Sequence, residues 1–127
     1  MDKRLIQSHC IFPTLEIEKT AEYYRKYLGF RPVAFLDATE PHVCLYRDDT
    51  EIILIQSHGQ KVLPNRELYG YGYDAYFITD RQELLQQEFE DAGVKIVRRL
   101  SMTDYHNREF VIEDIDGRWI GFGIKVK

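Results

Sequence analysis

Only two of the 127 residues are cysteine, too few for the disulfide framework that holds small secreted domains together. Cys10 and Cys44 each fall inside an apolar, strand-like segment, which suits small core residues better than a redox pair. Charge of one sign is lacking as well. Lys and Arg number 17 against 21 Asp and Glu, a formal net charge of −4, and the cations are scattered rather than gathered into a stripe. Nucleic acid is therefore not an expected partner. No segment approaches the roughly 20 apolar residues that span a bilayer, and the first ten residues lack the apolar run of a signal peptide. No membrane contact is expected, and the cytoplasm is the expected location. A Gly-rich phosphate loop, a nucleophile elbow and a CxxC pair are missing too, which removes the commonest signatures of phosphoryl transfer, serine hydrolysis and thiol redox chemistry.

What is present is a pattern that occurs twice. Ala21, Tyr24, Tyr27 and Leu28 recur at helical spacing and Gly29 follows, predicting a helix over residues 17–28. Leu85, Phe89 and Ala92 form a second apolar stripe ended by Gly93, with Asp80 and Glu83 ahead of it as a capping-box-like pair. The two glycines lie 64 residues apart, and the same shift carries Glu16 onto Asp80. An apolar run precedes each helix, at residues 10–15 and 75–78. Three strand candidates follow each: 32–36, 43–47 and 51–56 in the first half, then 95–100, 109–113 and 118–126 in the second.

The order is βαβββ, twice. It predicts a single α+β domain with module one at about residues 5–57, a linker at 58–72 broken by Pro64, Asn65, Gly70 and Gly72, and module two at about 73–127. One helix cannot cover a four-stranded sheet on both faces, so the two modules are expected to form a curved mixed sheet bearing a cleft, with the concave side as the ligand site.

The duplicated βαβββ order, the helix end EIEKTAEYYRKYLGF and the closing hairpin REFVIEDIDGRWIGFG together resemble the glyoxalase, bleomycin-resistance and extradiol dioxygenase superfamily, the vicinal oxygen chelate proteins. The likeness spans nearly the whole chain, and the hairpin is most similar to the small bleomycin-resistance-like proteins. Metal-dependent members of that group place ligands on the first and last strand of each module. Carried onto this sequence, those positions are His9, about Ile53, Tyr73 and Gly121. One histidine, a hydrocarbon, a phenol and a glycine do not supply the three ligands that a catalytic metal needs. A slip of two residues would bring in Glu51, and Glu109 lies in a neighbouring strand, so His9, Glu51 and Glu109 are the candidates for a nonstandard site.

Strand alternation places Trp119, Gly121 and Gly123 on the cleft side of the last strand, with Ile120, Phe122 and Ile124 toward the helices. The two glycines either leave room for a ligand or accommodate a close neighbouring backbone or helix. The same alternation aims His9, Ile11 and Pro13, and Tyr73, Ala75 and Phe77, into the cleft, although core packing is the favoured role for Phe77. Tyr69, Tyr71 and Tyr73 alternate with glycines and suit either an aromatic lid or a dimer contact. Tyr105 and His106 precede the REF strand as ligand-contact candidates, whereas Asp114 and Asp116 flank the Gly117 turn and are expected to satisfy its backbone.

The resulting expectation is a small-molecule-binding protein that needs no metal or other cofactor. It would be a homodimer that sequesters or recognises an aromatic or amphipathic ligand without catalysis. His9, Ile53, Tyr71, Tyr73, Phe77, Tyr105, His106, Trp119, Gly121 and Gly123 are the candidate contacts. Two alternatives stand beside it: a metal-dependent lyase, isomerase or dioxygenase using His9 with carboxylate partners, and a non-catalytic dimeric regulatory or structural module.

Overall fold

The computed structural model describes residues 2–127. Two compact units are present, one built on the chain up to Arg25 with Gly29–Lys61, the other on Lys26–Leu28 with Val62–Lys127. Each contains one four-stranded mixed sheet.

Along the first half of the chain the order is β1 (Cys10–Thr14), α1 (Ile17–Leu28, of which Lys26–Leu28 group with the other unit), β2 (Arg31–Phe35), β3 (His42–Arg47) and β4 (Thr50–Gln56). The sheet runs β1-β4-β3-β2, with β1 parallel to β4 and the other pairs antiparallel. Phe12, Val43, Leu45, Ile52 and Leu54 are buried and share one face. Thr14 is also buried there, and its hydroxyl is satisfied by that of Thr20 at 2.6 Å. Helix α1 ends as the sequence predicts. Gly29 adopts φ 75°, a left-handed conformation that a Cβ disfavours, and donates its amide back to Tyr24.

The second half opens on a five-residue helix, α2 (Asn65–Tyr69), inside the stretch expected to be linker; the breakers Pro64 and Gly70 flank its two ends. Next come β5 (Ala75–Ile78), α3 (Gln82–Ala92), β6 (Lys95–Met102), β7 (Asn107–Glu113) and β8 (Trp119–Lys125). The sheet runs β5-β8-β7-β6, again with the parallel pair at one edge. Its helix-facing core is aromatic. Phe122 stacks on Phe77 at 5.5 Å and on Phe110 at 5.2 Å, and meets Phe89 of α3 edge-on at 5.4 Å.

Helix α3 does not start on the expected capping box. No side chain caps it; Thr79 instead accepts the amide of Arg81, and Glu83 is drawn into an ion pair with Arg108 at 2.6 Å. Asp114 does serve the Gly117 turn, accepting the amides of Asp116 and Arg118 at 2.9 Å each. The same carboxylate also pairs with the buried Arg118 guanidinium at 2.9 Å. Cys44 is buried and Cys10 is partly so, and burial pushes both thiols up, away from the reactive thiolate.

Candidate functional site

The face of the second sheet opposite its aromatic core carries the chemistry. The β7–β8 register pairs Glu109 with Gly123, Val111 with Gly121 and Glu113 with Trp119, so alternation sets these six residues on that face. Tyr76 joins them because it pairs with Gly121 across the parallel β5–β8 ladder. Phe77 is its neighbour on the opposite face and stacks in the core, which corrects its placement among the cleft residues. The expected parity fails because regular strand begins only at Ala75. Just before it, Asp74 is tied by its amide to Trp119 O and by its carboxylate to the amides of Asn65 and Trp119. Tyr73 and Tyr76 therefore reach the same side, with rings stacked 6.2 Å apart.

Glu109 is the hub of this face. It is 3% exposed, and three tyrosines donate to it: Tyr73 to Oε2 at 2.6 Å, Tyr76 to Oε1 at 2.9 Å, and Tyr105 to both oxygens at 3.1 and 3.2 Å. Asn107 completes the lattice by donating Nδ2–H to Tyr76 Oη at 3.0 Å. A carboxylate can be buried here because each oxygen has hydrogen-bond donors in place of water. Burial, and then the bond to Glu109, pushes the Tyr73 and Tyr76 phenols well above their ordinary value, so both keep their protons and remain donors.

The space left by the glycines is filled from within. A Cβ on Gly121 would lie 2.7 Å from Cδ2 of Tyr76 and 3.0 Å from Cδ2 of Tyr73. On Gly123 it would lie 2.5 Å from the Arg108 carbonyl and 2.6 Å from both Glu109 Cβ and Tyr76 Oη. Of the two readings of these glycines, close approach by the protein's own atoms is the one realised.

Beside the tyrosine lattice lies a cationic and aromatic platform. Trp119 carries two guanidinium groups near its ring, Arg66 at 4.4 Å and Arg98 at 5.3 Å, and Arg98 also lies 5.4 Å from the Tyr73 ring centre. The indole N–H donates to Glu113 Oε1 at 3.1 Å. Burial works to raise the Glu113 pKa, but the bonds from Trp119 and Lys95, with the nearby charges of Lys95 and Arg66, outweigh it and hold the carboxyl below its ordinary value. A cleft of about 250 Å³ opens at edge strand β6, bordered by Arg98, Met102, Thr103, Tyr105, Glu109 and Val111 among others.

Of the remaining candidates, His106 is exposed in the β6–β7 turn at φ 68°, and Tyr71 is 82% exposed beyond α2. Neither belongs to the lattice. In the first unit, His9 Nδ1 lies 3.2 Å from Glu51 Oε1, and Ile53 sits half-buried beside Ile11 and Cys44 on the sheet face away from the core. Sequence reasoning missed Tyr76, Arg66 and Arg98. Tyr76 has the opposite parity to the expected cleft positions 73, 75 and 77, Arg66 sits in the stretch expected to be linker, and Arg98 depends on bulges that leave no sequence mark.

These residues do not fit a metal centre of the kind the vicinal oxygen chelate resemblance implies. In the second unit Gly121 offers no donor, Tyr73 holds its proton and both oxygens of Glu109 are occupied. In the first unit His9 faces a single carboxylate and Ile53 has no lone pair. No group of three or more His, Cys, Asp or Glu suited to an ion occurs among the described residues.

The chain belongs to the Glyoxalase/Bleomycin resistance protein/Dioxygenase superfamily, whose family model matches residues 6–122. Its two tandem modules have the vicinal oxygen chelate fold, an α+β architecture. Among solved structures it is similar to TnmS3, an antibiotic binding protein from Streptomyces sp. CB03234, with a TM-score of 0.72 at 17% identity over 98% of this chain and all of that one. A superfamily member from Sphaerobacter thermophilus DSM 20745 gives 0.71 at 20% identity, covering 94% of this chain and 96% of the other. The integron cassette protein VCH_CASS1 from the mobile metagenome of V. cholerae gives 0.64 at 24% identity, with 97% of each chain covered. At these identities the likeness is one of fold. No curated protein matches the sequence. Among the described residues, no helix is long and apolar enough to cross a membrane.

Proposed function

We propose that this protein is a metal-independent, non-catalytic binder of small aromatic molecules, of the bleomycin-resistance-like kind, acting in the cytoplasm as a homodimer. The saturated Glu109 carboxylate carries this reading. Its two oxygens are spent on three tyrosine hydroxyls, so the most buried acid of this face builds an aromatic wall and has no lone pair directed at a metal or a reacting proton. Tyr73, Tyr105 and Trp119 give that wall rings for stacking, where each contact contributes roughly 0.5–1.5 kcal/mol beyond area burial. The fold shared with TnmS3, an antibiotic binding protein, is in keeping with this role. Tyr69 and Tyr71, 71% and 82% exposed around the end of α2, support the dimer by offering aromatic surface of the type enriched at interfaces.

A thermal-shift screen against divalent metals and against aromatic antibiotics and metabolites tests the proposal. A ligand at about a hundred times its dissociation constant adds about 2.7 kcal/mol of stability. Stabilisation by an aromatic compound and none by metals is expected. A stoichiometric divalent ion retained by protein purified without chelator, and lost in His9→Ala, would sink it.

A further inference from the structure

Strand β6 is an edge strand that departs from regular pairing twice, between Ile96 and Arg98 and again between Arg98 and Ser101. Such bulges re-aim side chains. Here they bring Arg98 opposite Val111 and Ser101 opposite Glu109, onto the face that carries the tyrosine lattice. The irregularity is held in place: the amide of Leu100 is captured by Gln86 Oε1 of α3 at 2.7 Å.

The two guanidinium groups near Trp119 differ in one respect. Arg66 is neutralised, with Glu113 at 3.3 Å and a hydrogen bond to the Gly117 carbonyl. Arg98 is exposed and has no carboxylate within ion-pair distance among the described residues; its contacts are the rings of Tyr73 and Trp119. A guanidinium aligned by aromatic rings keeps its planar fork of donors while losing little freedom on binding. It borders the 250 Å³ cleft, below the roughly 300–1,000 Å³ typical of sites for drug-sized ligands. The other acids at this cleft leave Arg98 available, since Glu109 is committed to its tyrosines and Asp104 is exposed in the β6–β7 turn.

We infer that the β6 cleft is an oxyanion-recognising subsite: Arg98 holds the carboxylate, or an equivalent planar anionic group, of a one- or two-ring aromatic ligand whose ring lies against Tyr105 and the Met102–Val111 wall. This rests on the small-molecule-binding reading and narrows it to aromatic acids, despite the net negative charge of the chain.

The test compares indole-3-carboxylate with its neutral isostere indole-3-carboxamide. Trp119 is the only tryptophan, so its indole N–H gives a single local resonance for titration by NMR. The carboxylate is expected to bind about tenfold more tightly than the amide, as a charge-assisted fork contact implies. Arg98→Gln should abolish that preference, while Arg98→Lys, which keeps the charge and loses the fork, should retain part of it. Equal affinity for the two compounds, or a carboxylate preference that survives Arg98→Gln, overturns the inference and leaves aromatic binding intact. Absence of any response to the carboxylate also overturns it. The broader binding reading falls separately, if no compound of the aromatic screen stabilises the protein.

Discussion

The ring of Tyr76 lies across Gly121 so closely that a Cβ at residue 121 would approach its Cδ2 to 2.7 Å. Where the resemblance of the closing hairpin would place a metal ligand, the protein has no side-chain atom, and the space is filled by a phenol hydrogen-bonded to Glu109. The glycine and the tyrosine act as one packing unit.

Enlarging residue 121 should therefore destabilise the second unit without creating a metal site. Gly121→Ala is expected to cost about 1–3 kcal/mol, as overpacking does, and Gly121→Glu more. In the Gly121→Ala, Tyr76→Leu double variant the loss should be smaller than the sum of the single losses, because the ring that collides is gone. Urea denaturation of the four proteins measures this, and strict additivity would contradict the contact.

The tyrosine lattice also sets an alkaline limit. The Tyr73 and Tyr76 phenols are raised above their ordinary value of 10 in the folded protein. Below that pH both the folded and unfolded chains hold these protons, and the stabilisation is complete. Above it the unfolded chain releases them first, so stability falls as pH rises toward the folded values. Urea midpoints followed from about pH 8 to about pH 11 should decline more steeply in the wild type than in the Tyr73→Phe, Tyr76→Phe variant, which has no such protons to release.

Arg118 is 2% exposed, and its Nη1 lies 2.9 Å from Asp114 Oδ2 and 3.1 Å from Asp116 Oδ2. Replacing it with leucine leaves the buried Asp114 carboxylate without its cation and should cost about 3–5 kcal/mol. Adding Asp114→Asn to that variant should recover part of the loss by removing the stranded charge. Equilibrium unfolding of the single and double variants distinguishes a charge effect from lost packing volume, which the second change would not restore.

Much of this architecture could be read along the chain. Both long helices end at the glycines that follow their apolar stripes, and all eight strands occur within two or three residues of the expected bounds. The site was legible in part. Tyr73 and Trp119, expected from strand alternation, and Tyr105, expected from its place just before the REF strand, share one face, whereas Phe77 lies on the other because alternation does not hold through 73–75, where the chain is not yet regular strand. Tyr71 and His106 share the right neighbourhood in sequence but project from turns.

By itself the sequence determined the βαβββ repeat and the lack of a donor at position 121, because hydrophobic period, turn chemistry and residue identity are local properties. Only the tertiary structure decided what occupies the space at Gly121, where the bulges of β6 fall and which of the two guanidinium groups beside Trp119 has no carboxylate within ion-pair distance among the described residues. Those outcomes depend on strands and helices far apart in the chain. A ring fills a gap, and a glutamine captures a freed amide, only after the sheet and α3 have met.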